Sequence, residues 1–195
     1  MRTQLLALRA LALALLLPLA ARAQVIQLVP SWPQANGIVE ALRIDDAANV
    51  VYVAGSFTEI DGQPRERLAA IDLLTGNLLP WSPTANGTIN DIEVAGDSVI
   101  VTGVFSEING VPRTRLAAID ATTGALRNWS PSLNNSGQVL LADNDRIIVG
   151  GFFSLVNGVP RVGAAAFDGS TGALLAWDPA VAGFVRSVKR IGNNI

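Results

Sequence analysis

Arginines and carboxylates that recur at a fixed interval have the most capacity for chemistry in this chain. Arg65, Arg113 and Arg161 lie 48 residues apart, each directly after a proline, and Arg67 and Arg115 repeat the interval two positions on. Glu59 and Glu107 stand six residues before the first two of these arginines. Guanidinium forks offer paired N–H donors, so Glu59, Arg65, Arg67, Glu107, Arg113, Arg115 and Arg161 are a candidate ligand-binding rim. The competing reading has each arginine pairing with a carbonyl or carboxylate of its own or the next repeat. That reading is preferred, because a site usually needs the repeats to differ whereas a framework does not.

Other chemistries are narrower. The chain has no Cys and no His, which removes cysteine nucleophiles, Ser-His pairs and most transition-metal sites. Carboxylate acid–base hydrolysis stays open, but Asp45-Asp46 and Asp143/Asp145 fall near hairpin ends, where solvated turns are expected. Asp72, Asp120 and Asp168 each precede a Thr-Gly turn, where an aspartate accepts backbone N–H groups. The alternating oxygen spacing of a calcium loop is absent around them. Trp32, Trp81, Trp129 and Trp177 could stack on sugar rings, but aromatics repeating in register are expected to fill the core. Asn86, Asn128 and Asn134 match the N-glycosylation pattern and are discounted, since the leader is bacterial in character. The third unit has apolar Leu155 where the others have Glu59 and Glu107, and Val162 where they have Glu66 and Thr114. No catalytic, cofactor-binding or metal residue is assigned, and no cofactor is expected.

The elements that would position these groups follow from the repeat. Gly55, Gly103 and Gly151 share the 48-residue interval with Phe57, Phe105 and Phe153, and the tryptophans are spaced by 49, 48 and 48. Each unit holds a β-branched run (50–54, 98–102, 146–150), an Asp-Gly or Asn-Gly turn, and a second strand (68–72, 116–120, 164–168). A third short strand ends at Trp (77–81, 125–129, 173–177), and a fourth leads into the next unit (38–44, 89–94, 138–142 and 184–188). No window carries a helical stripe. Four short antiparallel strands per unit suit a β-propeller blade, whose faces only neighbouring sheets can cover. Gly55 and Ala69-Ala70 are expected to let sheets approach closely near the axis.

The expected fold class is therefore all-β, with blades over about 38–81, 88–129 and 137–177 and the start of a fourth over 183–195. Three full units fall short of the four to eight that close a propeller. An incomplete propeller in a fragment is expected, with self-association the less favoured alternative.

Residues 1–23 read as a cleaved signal peptide: Arg2 and Arg9 supply charge, 11–19 the apolar stretch and Ala21-Arg22-Ala23 the cleavage site. Three of the 14 basic residues fall in that leader, leaving 11 against 16 acids and a mature charge of −5. Such a chain lacks the basic footprint of a nucleic-acid binder, and no stable membrane insertion is expected after cleavage. It is expected to be exported, whether periplasmic, secreted or on the cell surface.

Residues 51–87 (VYVAGSFTEIDGQPRERLAAIDLLTGNLLPWSPTANG) and 100–131 (IVTGVFSEINGVPRTRLAAIDATTGALRNWSP) resemble the repeat of secreted delta-60-type β-propeller proteins, themselves similar to the kelch-like Rax propeller. The resemblance implies exported or surface propellers within long chains and transfers no catalytic residues. The AAIDxxTGxxxxW portion is also similar to quinoprotein blades, but their Cys pair and ion-binding carboxylates are not recognisable here, so no quinone is expected. The preferred function is a non-catalytic module binding a protein or glycan, or a scaffold in a larger surface protein. A propeller-mouth hydrolase or lyase using carboxylates and Arg is the alternative.

Overall fold

A computed structural model describes residues 32–192. The expected leader over 1–23 lies outside the described residues. Fifteen strands are present, all antiparallel in their pairing, and no helix occurs among the described residues. The first unit holds β1 (Val39–Asp45), β2 (Val50–Gly55), β3 (Glu59–Ile60), β4 (Gln63–Pro64) and β5 (Leu68–Asp72). The second repeats it as β6 (Ile89–Ala95), β7 (Ser98–Gly103), β8 (Glu107–Ile108), β9 (Val111–Pro112) and β10 (Leu116–Asp120). The third comprises β11 (Gly137–Asp143), β12 (Arg146–Gly151), β13 (Leu155–Val156), β14 (Val159–Pro160) and β15 (Ala164–Asp168).

Each main sheet has three strands, in the orders β1-β2-β5, β6-β7-β10 and β11-β12-β15. The expected third strand ending at Trp shrinks to one bridge per unit, Ile71–Leu78, Ile119–Leu126 and Phe167–Leu174. The chain there leaves the ladder after a single rung in every unit, with Pro80 at the point of departure in the first and Asn128 and Ala176 in the same place in the others. The segment expected as a further strand over 184–188 is not a strand either. It lies on the third sheet without a ladder partner of its own.

The turn chemistry is legible residue by residue. Asp61-Gly62, Asn109-Gly110 and Asn157-Gly158 all have positive φ at both positions, the backbone of a two-residue hairpin turn. The three small hairpins they make sit between the second and third strands of each sheet. Opposite a bulge in β1, a Cβ on Gly55 would lie 2.1 Å from the Ile38 carbonyl oxygen. The figure is 2.2 Å to Thr88 for Gly103 and 2.4 Å to Ser136 for Gly151. The close approach expected at Gly55 is thus made inside each sheet, where the bulge presses one strand on its neighbour, and not between sheets.

Successive sheets pack face to face, with β6 lying against both β1 and β11. Between the first two, Tyr52, Ala54, Leu68 and Ala70 meet Ile92, Val99, Val101 and Ile119 around Trp81. Between the second and third, Ile100, Leu116 and Ala118 meet Leu140, Ile147, Val149 and Phe167 around Trp129. This is one interface used twice. Trp32 and Trp177 are not buried in this way; Trp32 is 42% exposed and Trp177 half-buried.

Candidate functional site

The edge of the molecule that carries the Asn-Gly hairpins also carries the connections between units. Asn36 ties the two together: its Oδ1 accepts from the N–H groups of Thr58 (2.9 Å) and Glu59 (3.0 Å), and its Nδ2 donates to the Thr58 hydroxyl. Asn86 and Asn134 repeat this arrangement on Ser106-Glu107 and Ser154-Leu155. An amide alone supplies both acceptor and donor at one point, which explains the recurring asparagine. In the sequence, Asn86 and Asn134 stand out only as discounted N-glycosylation matches.

The predicted rim lies on this edge, but its arginines face inward to the frame. Arg65 donates to the carbonyls of Pro64 (2.7 Å) and Leu79 (2.9 Å), and Arg113 to those of Pro112 (2.9 Å) and Arg127 (3.2 Å). Arg161 donates to Pro160 and lies 3.6 Å from Asp178. Arg67 and Arg115 reach across to the next connection, donating to Ala85 (2.8 Å) and Leu133 (3.1 Å). Glu59 and Glu107 are exposed, and their carboxylates make no hydrogen bond or ion pair among the described residues. The structure therefore gathers the seven residues along one edge and commits five of them to bracing.

The opposite edge is built from the β1–β2-type turns and the Asp-x-x-Thr-Gly turns. Asp72, Asp120 and Asp168 cap the latter, each Oδ1 accepting from the N–H and hydroxyl of the following Thr75, Thr123 or Thr171. Those bonds favour the ionised form. The Thr75 N–H lowers the Asp72 pKa, the Thr123 N–H holds Asp120 at about 2, and the Thr171 N–H holds Asp168 at about 2.

Between these turns a cleft opens at each sheet-to-sheet junction. The first has a volume of about 420 Å³ and is floored by Tyr52, Leu79 and Trp81. The second, about 720 Å³, has Arg127 where the first has Leu79, with Asp97, Asn128, Asp145 and Ser170 around it. Position 175 is again Leu, so Arg127 is the middle unit's own departure from the repeat. Arg127 Nη2 pairs with Asp97 (2.9 Å) and Asp120 (2.7 Å). The 48-residue comparison that exposed Leu155 would also have exposed Arg127, which was overlooked.

A second charged group joins β1, β6 and β11. Arg43 lies 3.2 Å from Glu93 and 3.9 Å from Asp91, and donates to the Ile92 carbonyl. Asp91 in turn accepts from the Leu140 N–H at 2.7 Å, so an ion pair and a hydrogen bond together link all three sheets. Burial raises the pKa of both Asp91 and Glu93 despite Arg43. Further along, the buried Asp143 pairs with Arg146 and with Arg190. No group of three or more potential metal ligands occurs among the described residues.

No protein-family model matches the chain, and no curated protein matches it. Among solved structures it is similar to the computationally designed Ika4 protein, at 16% identity and a TM-score of 0.58, over 86% of this chain and 88% of that one. The computationally designed Ika8 protein matches with 16% identity and a TM-score of 0.49, over 74% of this chain; the chain spans only 37% of Ika8. At this identity the Ika4 likeness concerns the fold alone.

Proposed function

We propose that the chain is an exported, non-catalytic β-propeller module of the delta-60 or kelch-like kind. In this reading each three-stranded sheet with its one-rung extension is a blade, β1, β6 and β11 are the innermost strands, and the clefts open on one rim. The module holds a protein or glycan partner, or serves as a scaffold within a larger secreted or surface protein. Face-to-face packing of successive sheets, with β6 against both β1 and β11, supports the fan arrangement.

One contrast carries the binding reading. The recurring arginines are spent on backbone carbonyls in every unit, whereas the clefts differ, Leu79 in one and Arg127 in the other. A site needs such difference; a frame does not. The test is a panel of immobilised glycans and surface proteins probed with the chain and with Arg127→Leu. Binding that falls about tenfold or more in the variant, at an unchanged circular dichroism spectrum, is expected.

A second reading, a hydrolase or lyase at the inner strands, is favoured by Asp91 and Glu93, two carboxylates with raised pKa beside Arg43. Turnover of a polysaccharide or ester that is lost in Glu93→Gln, together with silence on the binding panel, would replace the first reading with the second.

A further inference from the structure

We infer that the two ends of the row of sheets are complementary and dock head to tail onto a second copy of this chain. The observation is a comparison of equivalent positions. Leu42, Ile92 and Leu140 occupy the same place in β1, β6 and β11. Ile92 and Leu140 are 0% and 2% exposed because each packs on the preceding sheet, whereas Leu42 is 59% exposed. Ile44 follows the same rule: its equivalents Val94 and Ala142 pack into the two intersheet cores, and it is 53% exposed.

A repeat face that meets water is normally polar. The outer face of the first described sheet is the reverse. Ile38 takes the place of Thr88 and Ser136 and is 63% exposed. Apolar character therefore increases where exposure is greatest, and such a face marks an interface.

The far end supplies a matching surface. There the chain over 183–185 covers the third sheet: the Val185 N–H donates to the Gly151 carbonyl, and the Val185 side chain lies over Gly150. Phe184 sets its edge on Phe152 at 5.0 Å yet stays 67% exposed, and Ile191 is 79% exposed. Charge is complementary as well. Residues 181–192 carry Arg186 and Lys189, besides the Arg190 held by Asp143, without an acid, while 38–48 carry Glu40, Asp45 and Asp46 against Arg43 alone. Arg43 is already engaged by the second sheet.

The occupant follows from continuity. The surface that covers Ile92 and Leu140 is a sheet of this same repeat, and a second copy is the source of another such sheet. The contact is heterologous, so it yields a ring if the sheets fan around an axis and a filament if they run straight. It does not depend on the ligand reading above.

Sedimentation of the purified chain and of two variants tests this. Leu42→Asp/Ile44→Asp spoils the first face and Phe184→Asp/Ile191→Asp the far end, all at positions more than half exposed. The parent is expected to exceed monomer mass in a concentration-dependent manner, and each variant alone to be monomeric. An equimolar mixture of the two should form a 1:1 complex and grow no further, since one intact face of each kind remains. A milder charge-reversal set, Glu40→Lys/Asp46→Lys against Arg186→Glu/Lys189→Glu, should show the same pattern if the apolar variants misfold. A parent that is monomeric at every concentration, variants that keep the parent's mass, or a mixture that forms no heterodimer would each overturn the inference.

Discussion

The Trp81 indole N–H donates to the Asp120 carbonyl at 2.9 Å, joining the end of the first unit to the turn of the second. Trp129 repeats the bond to Asp168 at 3.1 Å. Each tryptophan also lies edge-on to an aromatic, Tyr52 at 5.1 Å and Phe167 at 5.9 Å. The repeating tryptophan is therefore both filler and fastener between sheets.

Replacing it separates the two roles. Trp81→Phe keeps most of the ring but orphans a carbonyl, and should cost about 1–2 kcal/mol. Trp81→Ala opens a cavity as well and should cost about 3–5 kcal/mol. Urea unfolding of both variants checks this; no loss in Trp81→Phe would mean that the hydrogen bond contributes nothing, and equal losses that the ring's packing contributes nothing.

Gly103→Ala should abolish stable folding or cost several kcal/mol. Its new Cβ would lie 2.2 Å from the Thr88 carbonyl oxygen, a backbone atom that cannot move without undoing the bulge. Gly62→Ala provides the contrast. Nothing lies near its Cβ, so its cost is limited to left-handed backbone strain of about 1 kcal/mol. Thermal melts of the pair should rank them in that order.

Arg67 and Arg115 hold φ values of 70° and 65°, a region that disfavours side chains, while the third unit has Gly163 there at 71°. Arg115→Gly removes about 1–2 kcal/mol of strain and loses one hydrogen bond worth about 1 kcal/mol. The two nearly cancel, so its midpoint should stay within about 1 kcal/mol of the parent's. Arg113→Ala, with ordinary backbone and two carbonyls released, should lose more. A larger loss for Arg115→Gly would show that its carbonyl bond dominates.

Two carboxylate classes give opposite pH trends. Asp120 and Asp168 titrate near 2 when folded, below their ordinary 3.8. They contribute stability above that ordinary value and lose it as pH falls toward 2. Asp91 and Glu93 are raised by burial above their ordinary 3.8 and 4.5. Their contribution is complete below those values and is lost as pH rises through the folded pKa. Plots of melting temperature against pH should flatten just above the ordinary carboxylate range in Asp91→Asn/Glu93→Gln and below it in Asp120→Asn. Unchanged profiles would contradict the assignment.

How much of this was legible beforehand varies by element. The Asn-Gly turns, the β-branched central strands and the Asp-Thr-Gly caps are local: a few neighbouring residues settle φ and the hydrogen bonds, and the period marks them three times over. The all-β class, the repeat and the aspartate caps therefore stood in the sequence. Contacts between distant segments did not. Whether Arg65 meets a ligand or the Leu79 carbonyl depends on where residue 79 lies, and the run ending at Trp81 carries strand-like residues yet makes only one rung. The same holds for Leu42, whose character equals that of Ile92 and Leu140 while its exposure does not. Composition dictates that such a side chain seeks cover; only the packed structure decides which of the three receives it, because burial belongs to the arrangement of sheets and not to any residue alone.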